Sequence, residues 1–318
     1  MFSFTTIDSL DYHDDFIETI ILLDDGRLAS SSNDKTINII DINNDYHIDI
    51  TMYAFDNKVP SICQIDTNTI VSFCEDLSIK IWKLNKTDFE LLFTIESAHQ
   101  DSANKVLSLT NKRFASCSFD NDIKIWKGCT PYSAIPIAVL IGHTNVVRCI
   151  YQLKDEEILV SGSDDETIRL WSLITYQCIT TINQVNCYES KSIAEDNIHL
   201  FIGGYESLTL INKATLLTDM IIKDKEFSMI LSFIILSHVA LCGCQNGKIL
   251  IYNKSTNQIE KNQLDPNYIE PITDMLMIND DTFICSSRVL SINKIIIICI
   301  CDLMNVFTVQ NHFLLFSF

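Results

Sequence analysis

The sequence predicts an all-β ring of seven repeated four-stranded sheets, and three observations carry that expectation: a recurring anchor, its spacing, and the strand pattern within each copy. The anchor is apolar-x-apolar followed by Trp or a substitute, and it appears first as Ile37-Asn38-Ile39-Ile40, Ile79-Lys80-Ile81-Trp82, Ile123-Lys124-Ile125-Trp126 and Ile168-Arg169-Leu170-Trp171. Weaker copies follow at Leu208-Thr209-Leu210-Ile211, Ile249-Leu250-Ile251-Tyr252 and Ile298-Cys299-Ile300-Cys301. The last residues stand at 40, 82, 126, 171, 211, 252 and 301, so the steps run from 40 to 49 residues. A period of about 40–45 residues is that of one four-stranded propeller blade.

The fourth copy shows the strands. Val147 to Leu153 alternates, Ile158 to Val160 is continuously apolar before Ser161, Ile168 to Trp171 alternates again, and Cys178 to Ile182 closes the unit, with acidic turns at 155–157 and 164–165. Short runs of this kind between polar turns read as strands, and the continuously apolar one suits a strand covered on both faces. The seven copies thus give a seven-bladed β-propeller over residues 1–302, with an apolar tail at 303–318 of uncertain role. In the last copy, 271–278 and 282–287 supply two strands, and the pattern breaks at Arg288. Two segments compete to close the ring as its outer strand: Phe2 to Ile7, which matches Leu91 to Ile95 before His99, and Val306 to Val309. Closure removes otherwise unpaired strand edges.

Residues 141–143 and 161–171, Ile-Gly-His followed by Ser-Gly-Ser-Asp-Asp-Glu-Thr-Ile-Arg-Leu-Trp, carry a resemblance. They resemble the G-H…S-x-S-x-D-x-T-I-x-x-W-D unit of the WD-repeat family. Copies one and three follow the same spacing, with His13, Ser30, Asp34 and Ile40, and with His99, Ser116, Asp120 and Trp126. Copy two keeps Ser72, Asp76 and Trp82 without the His, copy five has Tyr205 in place of the Asp, copy six has Asn246, and copy seven has no Asp. The resemblance is specific over residues 13–172 and weak beyond them. It implies structural tetrads, His143, Ser161, Asp165 and Trp171 in the fourth copy, that pin the turn between the second and third strands. A buried Asp needs several donors, and an imidazole N–H, a hydroxyl and an indole N–H can supply them.

The resemblance also implies an interaction role rather than an enzymatic one. Its recognition face, formed by the loops between blades and between second and third strands, receives Phe16, Glu18 and Asn33 from copy one, Glu75 from copy two, Ser102, Asn104 and Phe119 from copy three, and Val146, Arg148, Asp164 and Glu166 from copy four. Phe119 is expected to offer apolar area to a partner, with Glu75, Asp164 and Glu166 as uncommitted charges beside it. Arg148 either binds a ligand carboxylate or offsets Asp164 and Glu166.

Composition narrows the partner. The formal net charge of −18 repels phosphate backbones and anionic lipid surfaces, so a basic peptide or subunit is expected, with no direct nucleic-acid or membrane partner; solubility is the alternative role of that charge. Residues 1–8 lack a basic n-region and long apolar stretch, and 12 cysteines without a C-x-x-C pair fit a reducing, cytoplasmic or nuclear setting. Cys242/Cys244 and Cys299/Cys301 have no accompanying His or second pair at zinc-finger spacing, so neither metal nor other cofactor is expected. The apolar run 295–300 is too short for a membrane span, which needs about 20 residues.

Three chemistries are set aside. His143, Ser161 and Asp165 are hydrolase-triad types, but the same trio recurs in copies one and three and no G-x-S-x-G elbow is present. Gly243 to Lys248 has three residues between its glycines and Ile249 after its lysine, which is not a phosphate loop but a turn at Asn246-Gly247. No Arg-Arg pair marks a phosphoinositide site. The reading is therefore a scaffold that assembles a multiprotein complex. A substrate-recognition subunit of a ubiquitin-ligase-type complex is the alternative, and a serine hydrolase the remote one.

Overall fold

The computed structural model describes residues 2–53, 55–154, 157–183, 192–262, 271–280, 282–287 and 293–302. It consists of seven four-stranded antiparallel sheets, each a blade whose strands run a to d from the central channel outward. Blade 1 is Ile17–Leu22, Leu28–Ser32, Ile37–Asp41 and His47–Met52, and blade 4 is Val147–Gln152, Ile158–Ser163, Ile168–Ser172 and Cys178–Ile182. Among the described residues the only helical turn is Lys225–Phe227, and no helix is long and apolar enough to cross a membrane.

Strand b of each blade is covered on both faces, which explains its apolar and small residues. Leu28–Ser32 is buried throughout, and so is Val239–Cys244. Close approach of neighbouring blades is what demands glycine at Gly203: a Cβ there would lie 2.8 Å from the Ile230 Cβ of blade 6. The core is not central but divided into seven apolar clusters, one at each blade-to-blade interface, including one that joins Leu10 and Ile284 of blade 7 to Ile17, Ile20, Leu28 and Ile40 of blade 1. Each blade buries its two faces against its neighbours, so no blade has a complete core by itself.

Around the channel, side chains of strand a bond to the backbone of the next blade. Thr19 donates to the Pro60 carbonyl at 3.2 Å, Ser61 accepts from the Val106 amide at 3.1 Å, Asn104 donates to Val147 at 2.7 Å, and Ser232 accepts from Met275 at 2.9 Å. Thr273 then donates to the Ile17 carbonyl at 2.7 Å, so the last blade is joined to the first. The N-terminal segment is the outermost strand of blade 7. It is longer than the sequence indicates, because Phe2–His13 pairs along the whole of Asn293–Asp302 from Phe2 opposite Asp302 to His13 opposite Asn293. The competing segment Val306 to Val309 lies outside the described residues, as do Arg288, the tail 303–318 and the acidic residues Asp155, Glu156 and Asp281.

The turns between strands b and c repeat one geometry. Lys35, Leu77, Asn121, Glu166 and Gly247 all have φ between 61° and 76°. At Asn246-Gly247 the glycine takes the positive φ that the turn needs, with its N–H on the Cys244 carbonyl at 3.0 Å.

Candidate functional site

The tetrads hold the loops that form the channel entrance. In blade 4, His143 Nδ1 is 2.8 Å from Asp165, its Nε2 is 2.7 Å from the Ser161 Oγ, and the Trp171 indole N–H donates to that same Oγ at 2.8 Å. Blade 3 repeats this with His99, Asp120, Ser116 and Trp126 at 2.7–2.8 Å. The arrangement is a relay from Trp to Ser to His to Asp, not a set of donors converging on the carboxylate: the sequence expectation that the hydroxyl and indole reach the Asp is corrected. The Asp instead takes backbone N–H groups, Thr144 and Thr167 at 3.0 Å each on Asp165.

Blades 1 and 2 are incomplete in different ways. Ile40 replaces the Trp in blade 1, where His13 keeps Asp34 and Ser30 at 2.8 Å each. In blade 2 Phe55 stands where the His belongs, packed on Trp82 with ring centroids 5.3 Å apart, and Trp82 still donates to Ser72 at 2.9 Å. Asp76 accepts from the Ser78 amide at 2.9 Å.

Electrostatics fix the charge states. Burial works to raise the pKa of Asp120, but hydrogen bonds from His99 and the Gln100 amide outweigh it and bring it down to about 2. Asp34 and Asp165 are also below the ordinary carboxylate range, with burial opposed by His13 and by Thr167 and His143 respectively. Burial lowers the pKa of His143 despite Asp165 beside it. The His–Ser–Asp connectivity has the order of a hydrolase triad, yet Ser161 is 0% exposed and its oxygen receives an indole N–H, so no substrate carbonyl can reach it.

At the channel entrance the loops are tied through backbone. The amides of Asn33, Glu75, Phe119 and Asp164 donate to the carbonyls of Phe16, Lys58, Ser102 and Val146 at 2.9–3.0 Å, joining each b–c turn to the loop that enters the same blade. These bonds occupy the carbonyls of Phe16, Ser102 and Val146, whose side chains are half-buried and lie outside the lining of the entrance cavity. Glu18 accepts from the Asn33 side chain at 3.0 Å.

Arg148 decides between its two expected roles. Its Nε and Nη2 donate to one Asp164 oxygen at 2.9 and 2.6 Å, and its guanidinium lies 4.9 Å from the Phe119 ring centre. Asp164 is therefore not an uncommitted charge, and that expectation is corrected because the arginine satisfies the carboxylate; the same arginine covers one ring face of Phe119, which is half-buried and lines the entrance cavity. Glu75 is 3.9 Å from Lys58, a long and exposed pair, and Glu166 is exposed in its left-handed turn.

Asp164 and Glu166 stand outside the lining of a cavity of about 300 Å³ that Glu18, Asn33, Glu75, Asn104, Phe119 and Arg148 line, and that also receives Lys58, Lys105, Thr273 and Asp274. The sequence did not mark those four, since the motif that locates the entrance loops fades after residue 172 and the two lysines stand outside it. Asp274 is half-buried and accepts from the Ile20 and Met275 amides and the Ser232 hydroxyl at 2.9–3.2 Å, and desolvation raises its pKa.

The family model for the WD domain, G-beta repeat, matches residues 89–127 and 134–172, the third and fourth copies of the anchor. Residues 89–172 therefore carry two WD repeats. Similar WD-repeat relatives include a probable coatomer subunit beta' of Schizosaccharomyces pombe, 31% identical over 37% of this chain and 14% of that protein. A DDB1- and CUL4-associated factor 11 homolog of Caenorhabditis briggsae is 27% identical over 40% of this chain and 24% of its own length. The nuclear distribution protein PAC1 of Arthroderma benhamiae is 27% identical over 53% of this chain and 36% of that protein. The chain thus spans a minor part of each relative. The matched copies are those with complete tetrads, so the family signal and the hydrogen-bonded relay coincide. Among the described residues no three His, Cys, Asp or Glu side chains converge as a metal site, and Cys242 and Cys244 are buried thiols, burial pushing Cys244 up to about 12.

Proposed function

We propose that this WD-repeat propeller, residues 1–302, is a non-enzymatic scaffold that assembles a multiprotein complex by receiving a partner at the channel entrance. The observation that carries the reading is the entrance cavity itself. Its walls come from separate blades, Glu18 and Asn33 from one, Glu75 from the next, Asn104, Phe119 and Arg148 from two more, held by backbone ties in all four and by complete tetrads in blades 3 and 4, none of which needs a ligand to form. Such a preorganised surface lowers the ordering cost of binding. The relatives support it by name, one a coatomer subunit and another an associated factor of DDB1 and CUL4.

The partner is a basic peptide or subunit, in a cytoplasmic or nuclear setting. The net charge of −18 favours basic encounter, and with Asp164 committed to Arg148, Glu75 and Glu166 are the acidic residues placed to meet it. A second reading, a substrate-recognition subunit of a ubiquitin-ligase-type complex, is favoured by the likeness to the DDB1- and CUL4-associated factor. A photo-crosslinking amino acid placed at Glu166 in the native cell should capture a defined protein adduct, while the same group at Ile179 on the outer strand of blade 4 should not. Equal capture at both positions would contradict entrance binding.

A further inference from the structure

The outer rim of blade 3 departs from the rims of the other blades. Between the third and outermost strands, blades 1, 2, 4, 5 and 6 have loops of four or five residues, whereas blade 3 has ten, from 128 to 137. Its outermost strand, Ala138–Leu140, follows, and no charged side chain occurs from Gly128 to Gly142. The longer loop is anchored by Tyr132, which stacks on Phe93 of the outermost strand of blade 2 with ring centroids 5.9 Å apart. Beyond it the chain turns apolar side chains to solvent. Ile135 and Ile141 are 77% and 76% exposed, and Ile137 and Val139 between them are exposed too.

The strand itself is held from behind. Leu140 is buried in the cluster between blades 3 and 4, and Ala138 packs against the same cluster, while Val139 stands opposite Lys124 on the other face. Among the described residues the sheet ends at this strand, so one edge of its backbone is unpaired. Such edges are ordinarily guarded by charge. The outermost strands of blades 1, 2, 5 and 6 expose Asp49, Glu90, Asp219 and Glu260, and that of blade 4 carries Thr180 and Thr181. Blade 3 has only its short length and Pro136, which guards the end where the loop enters.

These features fit one kind of occupant. A free backbone edge is satisfied by another strand, and aliphatic side chains beside it select aliphatic residues at alternate positions of that strand. A second copy of this chain fits poorly, because each copy carries a charge of −18 and the segment 135–141 is well short of the roughly 20–30 residues a side of a stable interface. The same charge favours lysine or arginine at the ends of an incoming segment. We propose that the rim of blade 3 receives a short extended segment of another protein as a fifth strand, aliphatic at alternate positions and basic at its ends. This surface is separate from the channel entrance and does not rest on that reading.

The test titrates the full chain into the peptide fluorescein-Gly-Lys-Val-Thr-Val-Thr-Val-Lys-amide, followed by anisotropy, with hydrogen exchange of residues 138–141 read by mass spectrometry. Saturable binding with slowed exchange over that segment is expected. Of two peptides N-methylated on alternate residues, the valines in one and the threonines in the other, at least one should lose binding, because its edge-facing donors are gone. Val139→Glu and Ile141→Glu, at exposed positions, should each weaken binding at least about tenfold, although the new charge attracts the peptide lysines. Phe119→Ala at the channel should leave it unchanged. The proposal is overturned if the wild type shows no saturable binding, if both N-methylated peptides bind as tightly as the parent, or if folded Val139→Glu and Ile141→Glu variants bind as the wild type does. Dimerisation of the chain that Ile141→Glu abolishes would assign the rim to a second copy and overturn it as well.

Discussion

The indole N–H of Trp171 ends on the Oγ of Ser161 at 2.8 Å, and that oxygen is also 2.7 Å from His143 Nε2, so one small hydroxyl joins strand c to the loop entering the blade. Removing it leaves two buried nitrogens unsatisfied. Ser161→Ala should cost about 1–3 kcal/mol in urea unfolding. Ser72→Ala should cost less, because blade 2 has Phe55 in place of the histidine and strands only the Trp82 indole. Equal losses would show that the histidine branch contributes nothing.

Stability should fall with acid in two stages. His143 has its pKa lowered from 6.5 by burial, so the unfolded chain takes up that proton more readily; the stability due to it is present above 6.5 and is lost as pH falls through the folded value. Asp120 is depressed from 3.8 to about 2, so its contribution is present above 3.8 and disappears as pH falls toward 2. Unfolding by urea at a series of pH values measures both. Asp120→Asn should flatten the lower stage and leave the upper one, and an unaltered lower stage would contradict the relay's electrostatics.

On the face opposite the entrance, Arg113 links blade 3 to blade 4. It donates to the Leu173 carbonyl at 2.6 Å and the Tyr176 hydroxyl at 3.3 Å, and it pairs with Glu157. Arg27, three residues before its tetrad serine as Arg113 is, reaches the Asn85 and Lys86 carbonyls of blade 2 at 3.2 Å. Arg113→Lys should therefore destabilise by about 1–2 kcal/mol, since an ammonium cannot span the three acceptors that a planar fork reaches. A lysine variant as stable as wild type in thermal melts would reduce the link to a surface ion pair.

Closure of the ring is tested by truncation. Phe2–His13 pairs with Asn293–Asp302, and Leu10 belongs to the cluster between blades 7 and 1. Deleting residues 2–8 should lower the melting temperature by several degrees or more, as losses of a few kcal/mol do in chains of this size. An unchanged melting temperature would assign closure to the C-terminal side.

What the sequence revealed follows from what repetition can show. Seven anchors at near-constant spacing made the blade count legible, and the His, Ser and Asp spacings of copies one, three and four marked groups that do meet within hydrogen-bond distance. Spacing shows which residues are neighbours but not which donor meets which acceptor, so the Trp-to-Ser relay was hidden. The Phe119–Arg148–Asp164 stack was hidden for a related reason: it joins two blades, and its arginine had two plausible carboxylate partners. Blade-crossing contacts such as Arg113 to Leu173 lie 60 residues apart and leave only a faint trace, an arginine three positions before the tetrad serine in copies one and three.

The central claim, a partner held at the channel entrance, is tested most directly by quantitative capture with purified wild-type chain and with a Glu75→Lys, Glu166→Lys variant of equal thermal stability. Both positions are acidic, lie outside the tetrads and border the b–c turns of blades 2 and 4. The account predicts one or more stoichiometric protein partners on the wild type, basic in net charge, released as salt shortens the screening length below about 10 Å, and lost from the variant. Partners that bind the variant as well as the wild type, are acidic, and resist salt would contradict it.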